Sequence, residues 1–168
     1  QSRSITTMQA RCRLTVRMFL PRGTSMTVAH ILAEKGSSVI TVQPERTLDD
    51  AIHLLADNSI GALVVCDPEG HVAGILSERD IMHALANQGA SALNARISSH
   101  MTTEVATCRR ETTNGEIMQL MTDGRFRHMP VCESGKLVGL VSIGDVVKRR
   151  LPALEAERQA MRDYITTA

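Results

Sequence analysis

Two short stretches hold the residues with the clearest chemical use. Residues 74–80, "GILSERD", close an apolar run with a serine and, three residues on, an aspartate, just before a helical pattern begins at Ile81. Residues 139–145, "GLVSIGD", repeat the arrangement: 139 − 74, 142 − 77 and 145 − 80 give one offset, 65. A Ser-x-x-Asp at a strand-to-helix turn puts a hydroxyl at the helix start and a carboxylate one turn in, beside backbone N–H groups that attract phosphate. Such a carboxylate can accept two hydrogen bonds from the neighbouring hydroxyls of a ribose. The same pair also works as a plain helix cap, with an acidic residue favouring the helix dipole. The two uses are compatible.

The elements that must position these motifs follow from aligning the chain with itself. Val39-Ile-Thr-Val42 matches Val105-Ala-Thr-Cys108, Asp57 matches Asp123, and Val65-Cys66-Asp67 matches Val131-Cys132-Glu133, at an offset of 66 that falls to 65 after the turn, where "DPEGH" becomes "ESGK". A one-residue deletion belongs in such a surface turn. Each copy predicts a β-branched strand (39–42; 105–108) and a helix with apolar residues at helical spacing, such as Leu48, Ile52 and Leu55 or Ile117, Leu120 and Met121. A hairpin follows (62–66 with 72–76; 129–132 with 137–141), then a second helix (81–86; 146–150). The expected fold is therefore α/β (α+β): two β-α-β-β-α repeats packed sheet to sheet with pseudo-twofold symmetry, since one such unit alone buries too little apolar surface. The division expected is 26–90 for the first repeat, 91–150 for the second and a C-terminal helix over 151–168, with Leu154, Met161 and Ile165 on one side.

Composition removes several function classes. With 19 basic and 18 acidic residues there is no global attraction to nucleic acid or an anionic membrane, so any anion site must be local. Aromatics at 2% leave no stacking platform for single-stranded nucleic acid. Cys12, Cys66, Cys108 and Cys132 show no metal-like spacing, which predicts reduced thiols and no metal requirement. No apolar run approaches the roughly 18 residues of a membrane-spanning helix, so no membrane association is expected. Residues 1–25 carry Arg3, Arg11, Arg13, Arg17 and Arg22 without an Asp or Glu. They are read as a basic leader, extraneous or disordered, upstream of a natural start at Met26, with an organellar transit segment as the alternative to a cytoplasmic protein.

These residues closely resemble tandem cystathionine-β-synthase (CBS) domains, the CBS pair or Bateman module. The carriers are the two Gly-x-x-Ser-x-x-Asp motifs after hairpins, "SIGALVVCD" and "RFRHMPVCE" in the preceding strands, and "SVITVQPERTLDDAI" and "EVATCRRETTNGEI" at the repeat starts. The resemblance covers about residues 26–150 and implies two clefts, each assembled from both repeats, in which an adenine nucleotide (AMP, ATP or NAD(H)) acts as regulatory ligand. Carried over by position, one cleft would combine Ser38, Ile40, Gly61 and Ala62 with Ser142 and Asp145. The other would combine Glu104, Ala106, Arg127, His128 and Met129 with Ser77 and Asp80, with Arg79 as a second cation for phosphate. Arg127 and His128 stand where the first copy has Gly61 and Ala62, and Gly144 stands where it has Arg79, so the copies are not chemically identical. Arg79 could equally be a surface residue paired with Glu78.

The resemblance further implies a stand-alone, non-catalytic sensor resembling bacterial two-repeat proteins, acting as a homodimer on an unidentified protein target. A regulatory fragment or subunit of an enzyme such as inosine monophosphate dehydrogenase is one alternative, disfavoured because no catalytic barrel fits in 168 residues. A nucleic-acid-binding regulator using Lys148-Arg149-Arg150 is the other, less expected than a helix end whose cations complement the dipole.

Overall fold

A computed structural model of the chain describes residues 26–149 together with 158, 159 and 162. The leader 1–25, and the C-terminal helix apart from those three residues, lie outside the described residues.

In chain order the elements are α1 (Val28–Lys35), β1 (Thr41–Val42), α2 (Leu48–Asn58), β2 (Ala62–Cys66), β3 (Val72–Ser77), α3 (Glu78–Gln88), two 3-10 turns (Gly89–Asn94, Ile97–Ser99), α4 (Asn114–Gly124), β4 (His128–Glu133), β5 (Lys136–Ser142) and α5 over 143–149. This is a mixed α/β fold with two small sheets, β1-β2-β3 and β4-β5. The expected hairpins are present, and the repeat holds at the level of single pairs. Val42 lies beside Val65 in parallel, as Cys108 lies beside Val131; Ala62 faces Ser77, as His128 faces Ser142; and a bulge interrupts both hairpins, at Val65/Cys66 and Val131/Cys132. The strand expected over 105–108 shrinks to that single bridge at Cys108.

Helix starts are fixed by threonine and serine. Thr47 and Thr113 close capping boxes with Asp50 and Glu116, accepting from the backbone N–H of each at 3.2 and 3.3 Å. Each such cap contributes on the order of 1 kcal/mol. The apolar spacing then does what a helical period should: Leu48, Ala51 and Leu55 are buried on α2, and Ile117 and Met121 on α4. Leu120 departs from the expected inner face and is 45% exposed.

The two cores are exchanged between the chain's halves. Val28, Ile31 and Leu32 of α1, which the sequence places with the first repeat, pack into the second core with Ile117, Met121, Met129, Val131, Val141 and Val146. Conversely, Ala92 and Ile97, beyond residue 90, pack into the first core with Leu48, Leu55, Leu63 and Leu76. Backbone pairing follows the same exchange: Val28 N–H reaches Thr112 O at 2.9 Å, and Ile97 N–H reaches Arg46 O at 2.8 Å. An amphipathic period reports that a face is buried but not which core buries it, so the swap leaves no mark in the pattern.

This exchange explains the glycines that open both motifs. The segment crossing β3 brings Thr102 into two hydrogen bonds with Ile75, of 2.9 and 3.0 Å. A Cβ on Gly74 would lie 2.9 Å from Thr102 O and 2.6 Å from Met101 Sδ. In the other half α1 crosses β5, and a Cβ on Gly139 would lie 2.7 Å from Leu32 Cδ1. Gly74 is needed for the close approach of the Thr102 backbone, whereas at Gly139 the tight contact is with the end of the Leu32 side chain.

Candidate functional site

The strand-to-helix turns are built alike. Glu78 N–H donates to Gly61 O at 3.1 Å and Ile143 N–H to Arg127 O at 2.8 Å, which locks each helix start onto the strand beginning its own hairpin. The serine hydroxyl and backbone N–H both donate to one oxygen of the aspartate: Ser77 to Asp80 Oδ2 at 2.6 and 2.8 Å, and Ser142 to Asp145 Oδ2 at 2.8 and 2.8 Å. The capping use is therefore present in both copies. It spends Oδ2 and leaves Oδ1 of Asp80 without a protein donor among the described residues.

The residues of the second expected cleft are brought together. A cleft of about 290 Å³ is lined by Ser77, Arg79 and Asp80 from the first repeat and by Glu104, Ala106, Arg127 and His128 from the second. Gly61 and Ala62, expected opposite Asp145, line this cleft too, because the hairpins meet there: a Cβ on Gly61 would lie 3.7 Å from His128 Cε1. Arg125 and Phe126 also line it and were missed. Their signal was available, since they directly precede Arg127 in "RFRHMPVCE". Arg79 makes no ion pair with Glu78 among the described residues.

Other expected residues lie elsewhere. Met129 is wholly buried, with its side chain in the second core. Ile40 packs against the first core, and Ser38 is exposed just before β1. Asp145 is held by a residue the sequence did not suggest: Lys35, at the end of α1, donates to its Oδ2 at 2.6 Å. Burial alone would raise the Asp145 carboxyl, but the hydrogen bonds from Lys35 and Ser142 outweigh it and hold it below the usual carboxylate range. Arg149, from the basic cluster considered for nucleic acid, is turned inward, pairing with Glu34 and donating to Asp145 O at 3.3 Å. Its side chain is only 10% exposed. Arg150 lies outside the described residues.

Burial pushes the Cys108 thiol up to about 12, with Cys132 adding to the effect, and burial likewise raises Cys66, next to Asp67. Both thiols stay protonated and are poor nucleophiles near neutrality. No group of His, Cys, Asp or Glu suited to a metal ion occurs among the described residues. No helix among them is long and apolar enough to cross a membrane.

Burial lowers the His128 imidazole below its ordinary range, and the cations of Arg127 and Lys35 add to this, partly opposed by Asp145 and Glu78. The folded protein thus binds this proton less readily than the unfolded chain, so stability is full above about pH 6.5 and falls as pH drops below it toward the folded value. Melting temperatures measured from pH 7 to 5 should decline, and His128→Asn should flatten that decline. An unchanged slope in the variant would assign the dependence to other groups.

A protein-family model described as CBS domain matches residues 28–87 and 96–152. A crystal structure of a CBS-domain-containing protein from Agrobacterium tumefaciens is 46% identical, with a TM-score of 0.73, covering 74% of this chain and 99% of that one. A CBS domain-containing protein of Arabidopsis thaliana named CBSX3, mitochondrial, is 35% identical over 149 residues, which span 84% of this chain and 72% of that protein. A solved structure of CBSX2 in complex with AMP is 25% identical, with a TM-score of 0.65, covering 76% of this chain and 98% of that one.

Proposed function

The chain belongs to the CBS-domain family, with two such domains in tandem, and from that premise we propose that it is a non-catalytic regulatory module that binds an adenine nucleotide between its repeats. The observation that carries this reading is the cleft in which Ser77 and Asp80 of one repeat face Ala106, Arg127 and His128 of the other. In it, Asp80 Oδ1 takes the ribose hydroxyls, the N-terminal N–H groups of α3 and the arginines take phosphate, and backbone near Ala106 and Ala62 flanks the base. AMP, ATP and NAD(H) are the candidate ligands, and the AMP complex of the CBSX2 relative supports the class. A second, pseudo-symmetric site at Ser142 and Asp145, to which the resemblance assigns Ser38, Ile40, Gly61 and Ala62, belongs to the same proposal.

The module would act through an unidentified protein target, as a homodimer whose contact uses the exposed Met82, Leu120 and Val147 on α3, α4 and α5. Its repeats are taken as 26–90 and 91–150 with a helix over 151–168. Cytoplasmic residence is the primary reading. An organelle becomes the alternative if residues 1–25 act as a transit segment, which the mitochondrial name of the CBSX3 relative supports.

Thermal melting with and without ligand tests the reading. A nucleotide at a hundred times its dissociation constant should stabilise the fold by about 2.7 kcal/mol. No rise in melting temperature with millimolar AMP, ATP or NAD(H) would remove it.

A further inference from the structure

One side chain joins the Ser77–Asp80 cleft to the helix exchanged between the halves. His128 lines the cleft, and no residue of α1 does. On one side the imidazole meets the first repeat: a Cβ on Gly61 would lie 3.7 Å from His128 Cε1 and 3.5 Å from Glu78 Oε2. Across its own hairpin His128 is paired with Ser142, whose N–H and hydroxyl both hold Asp145 Oδ2 at 2.8 Å. Lys35, in the last turn of α1, donates to the same Oδ2 at 2.6 Å. The first repeat has the buried Ala62 at the position of His128, so only one half carries an ionisable group there.

The charged groups that act on the imidazole come from four places: Arg127 just before β4, Lys35 on α1, Asp145 on α5 and Glu78 on α3. Two are cations that oppose a proton on His128, and two are carboxylates that favour it. Lys35 and Asp145 are also each other's partners. A proton on His128 therefore sets a new cation against Lys35 and gives Asp145 a competing charged donor. Both effects weaken the seat of Lys35, and by reciprocity a seated Lys35 makes the proton harder to add. The rest of α1 stays anchored by Val28, Ile31 and Leu32 in the second core and by Glu34 on Arg149. The response is thus confined to its C-terminal turn, which ends where Gly36 N–H donates to Leu32 O at 2.9 Å. An anion in the cleft acts in the same direction as the proton, since negative charge beside His128 favours the imidazolium.

We propose, building on the nucleotide-binding reading, that His128 is a proton-operated link between the Ser77–Asp80 cleft and α1. When the imidazole takes up a proton it competes with Lys35 for Asp145 and loosens the C-terminal turn of α1, and an anionic ligand in the cleft makes this happen at higher pH.

NMR titration of the full chain tests the link, with His128 identified among the six histidines by the signal lost in His128→Asn. Lys35→Met, which removes the charge and keeps the aliphatic stem, should raise the His128 midpoint by about half a pH unit or more, and Asp145→Asn should lower it by a similar amount. In the parent, hydrogen-exchange protection of the Gly36 amide, corrected for the intrinsic effect of pH, should fall by about threefold or more as His128 titrates. His128→Asn should abolish that step. AMP, as the probe anion, should raise the His128 midpoint and move the loss of protection to higher pH, and adenosine should do neither. A midpoint unmoved in both folded variants, a Gly36 step that persists in His128→Asn, or AMP that binds by calorimetry without moving the midpoint would overturn the proposal. If AMP does not bind at all, the nucleotide reading itself fails, a result distinct from the variant shifts that report on the link.

Discussion

Met129→Ala should destabilise the protein by about 2–5 kcal/mol, the range for truncating a fully buried methionine. Met129 is 0% exposed, faces Val141 across the second hairpin, and stands where the first repeat has the equally buried Leu63. Its core also takes Val28, Ile31 and Leu32 from α1 and Val146 from α5, so a cavity here weakens the seam between α1 and the second repeat. Since a whole domain is stable by only about 5–15 kcal/mol, the urea midpoint should fall by a large fraction, while Met129→Leu, close in volume, should cost less than about 1.5 kcal/mol. Adenine-nucleotide affinity of the folded Met129→Ala protein should stay within a few-fold of the parent. A stable Met129→Ala protein with lost nucleotide binding would return this side chain to the site.

Asp80→Ala should weaken nucleotide binding by roughly 10- to 100-fold, because a hydrogen bond to a carboxylate contributes about 1.5–3 kcal/mol. A smaller loss of fold stability, about 1 kcal/mol, should accompany it, as Ser77 loses the Oδ2 that now accepts its hydroxyl and N–H. The two effects separate by measurement: denaturation reads the cap and calorimetry reads the ligand. Asp80→Ala with parental affinity would show that the motif only caps α3.

The sequence made the repeat legible because the turn chemistry is repeated as well as the apolar pattern. The single-residue deletion falls at the hairpin turn, and the same Ser-x-x-Asp follows each hairpin, so strands β2 to β5 and helices α2 to α4 could be placed from spacing alone. The grouping of the second cleft came from the family resemblance carried over by position, and Ser77, Arg79, Asp80, Glu104, Ala106, Arg127 and His128 line one cavity. What stayed hidden depends on distance along the chain. Lys35 and Asp145 are separated by 110 residues, and nothing local marks a lysine at the end of α1 as the partner of an aspartate in the last repeat. The exchange of α1 into the second core is invisible for the same reason. Met129 stands at the site by position in the repeat, yet its side chain is buried in the second core with Val131 and Val141.

The central claim is that Asp80 holds the ribose of an adenine nucleotide, and changing the ligand tests it without disturbing the protein. Titration of the unmodified chain with ATP and with its 2′,3′-dideoxy counterpart, which lacks both ribose hydroxyls, should give saturable ATP binding and an affinity for the dideoxy compound lower by about tenfold or more. Equal affinities for the two, or no binding of either, would contradict the account.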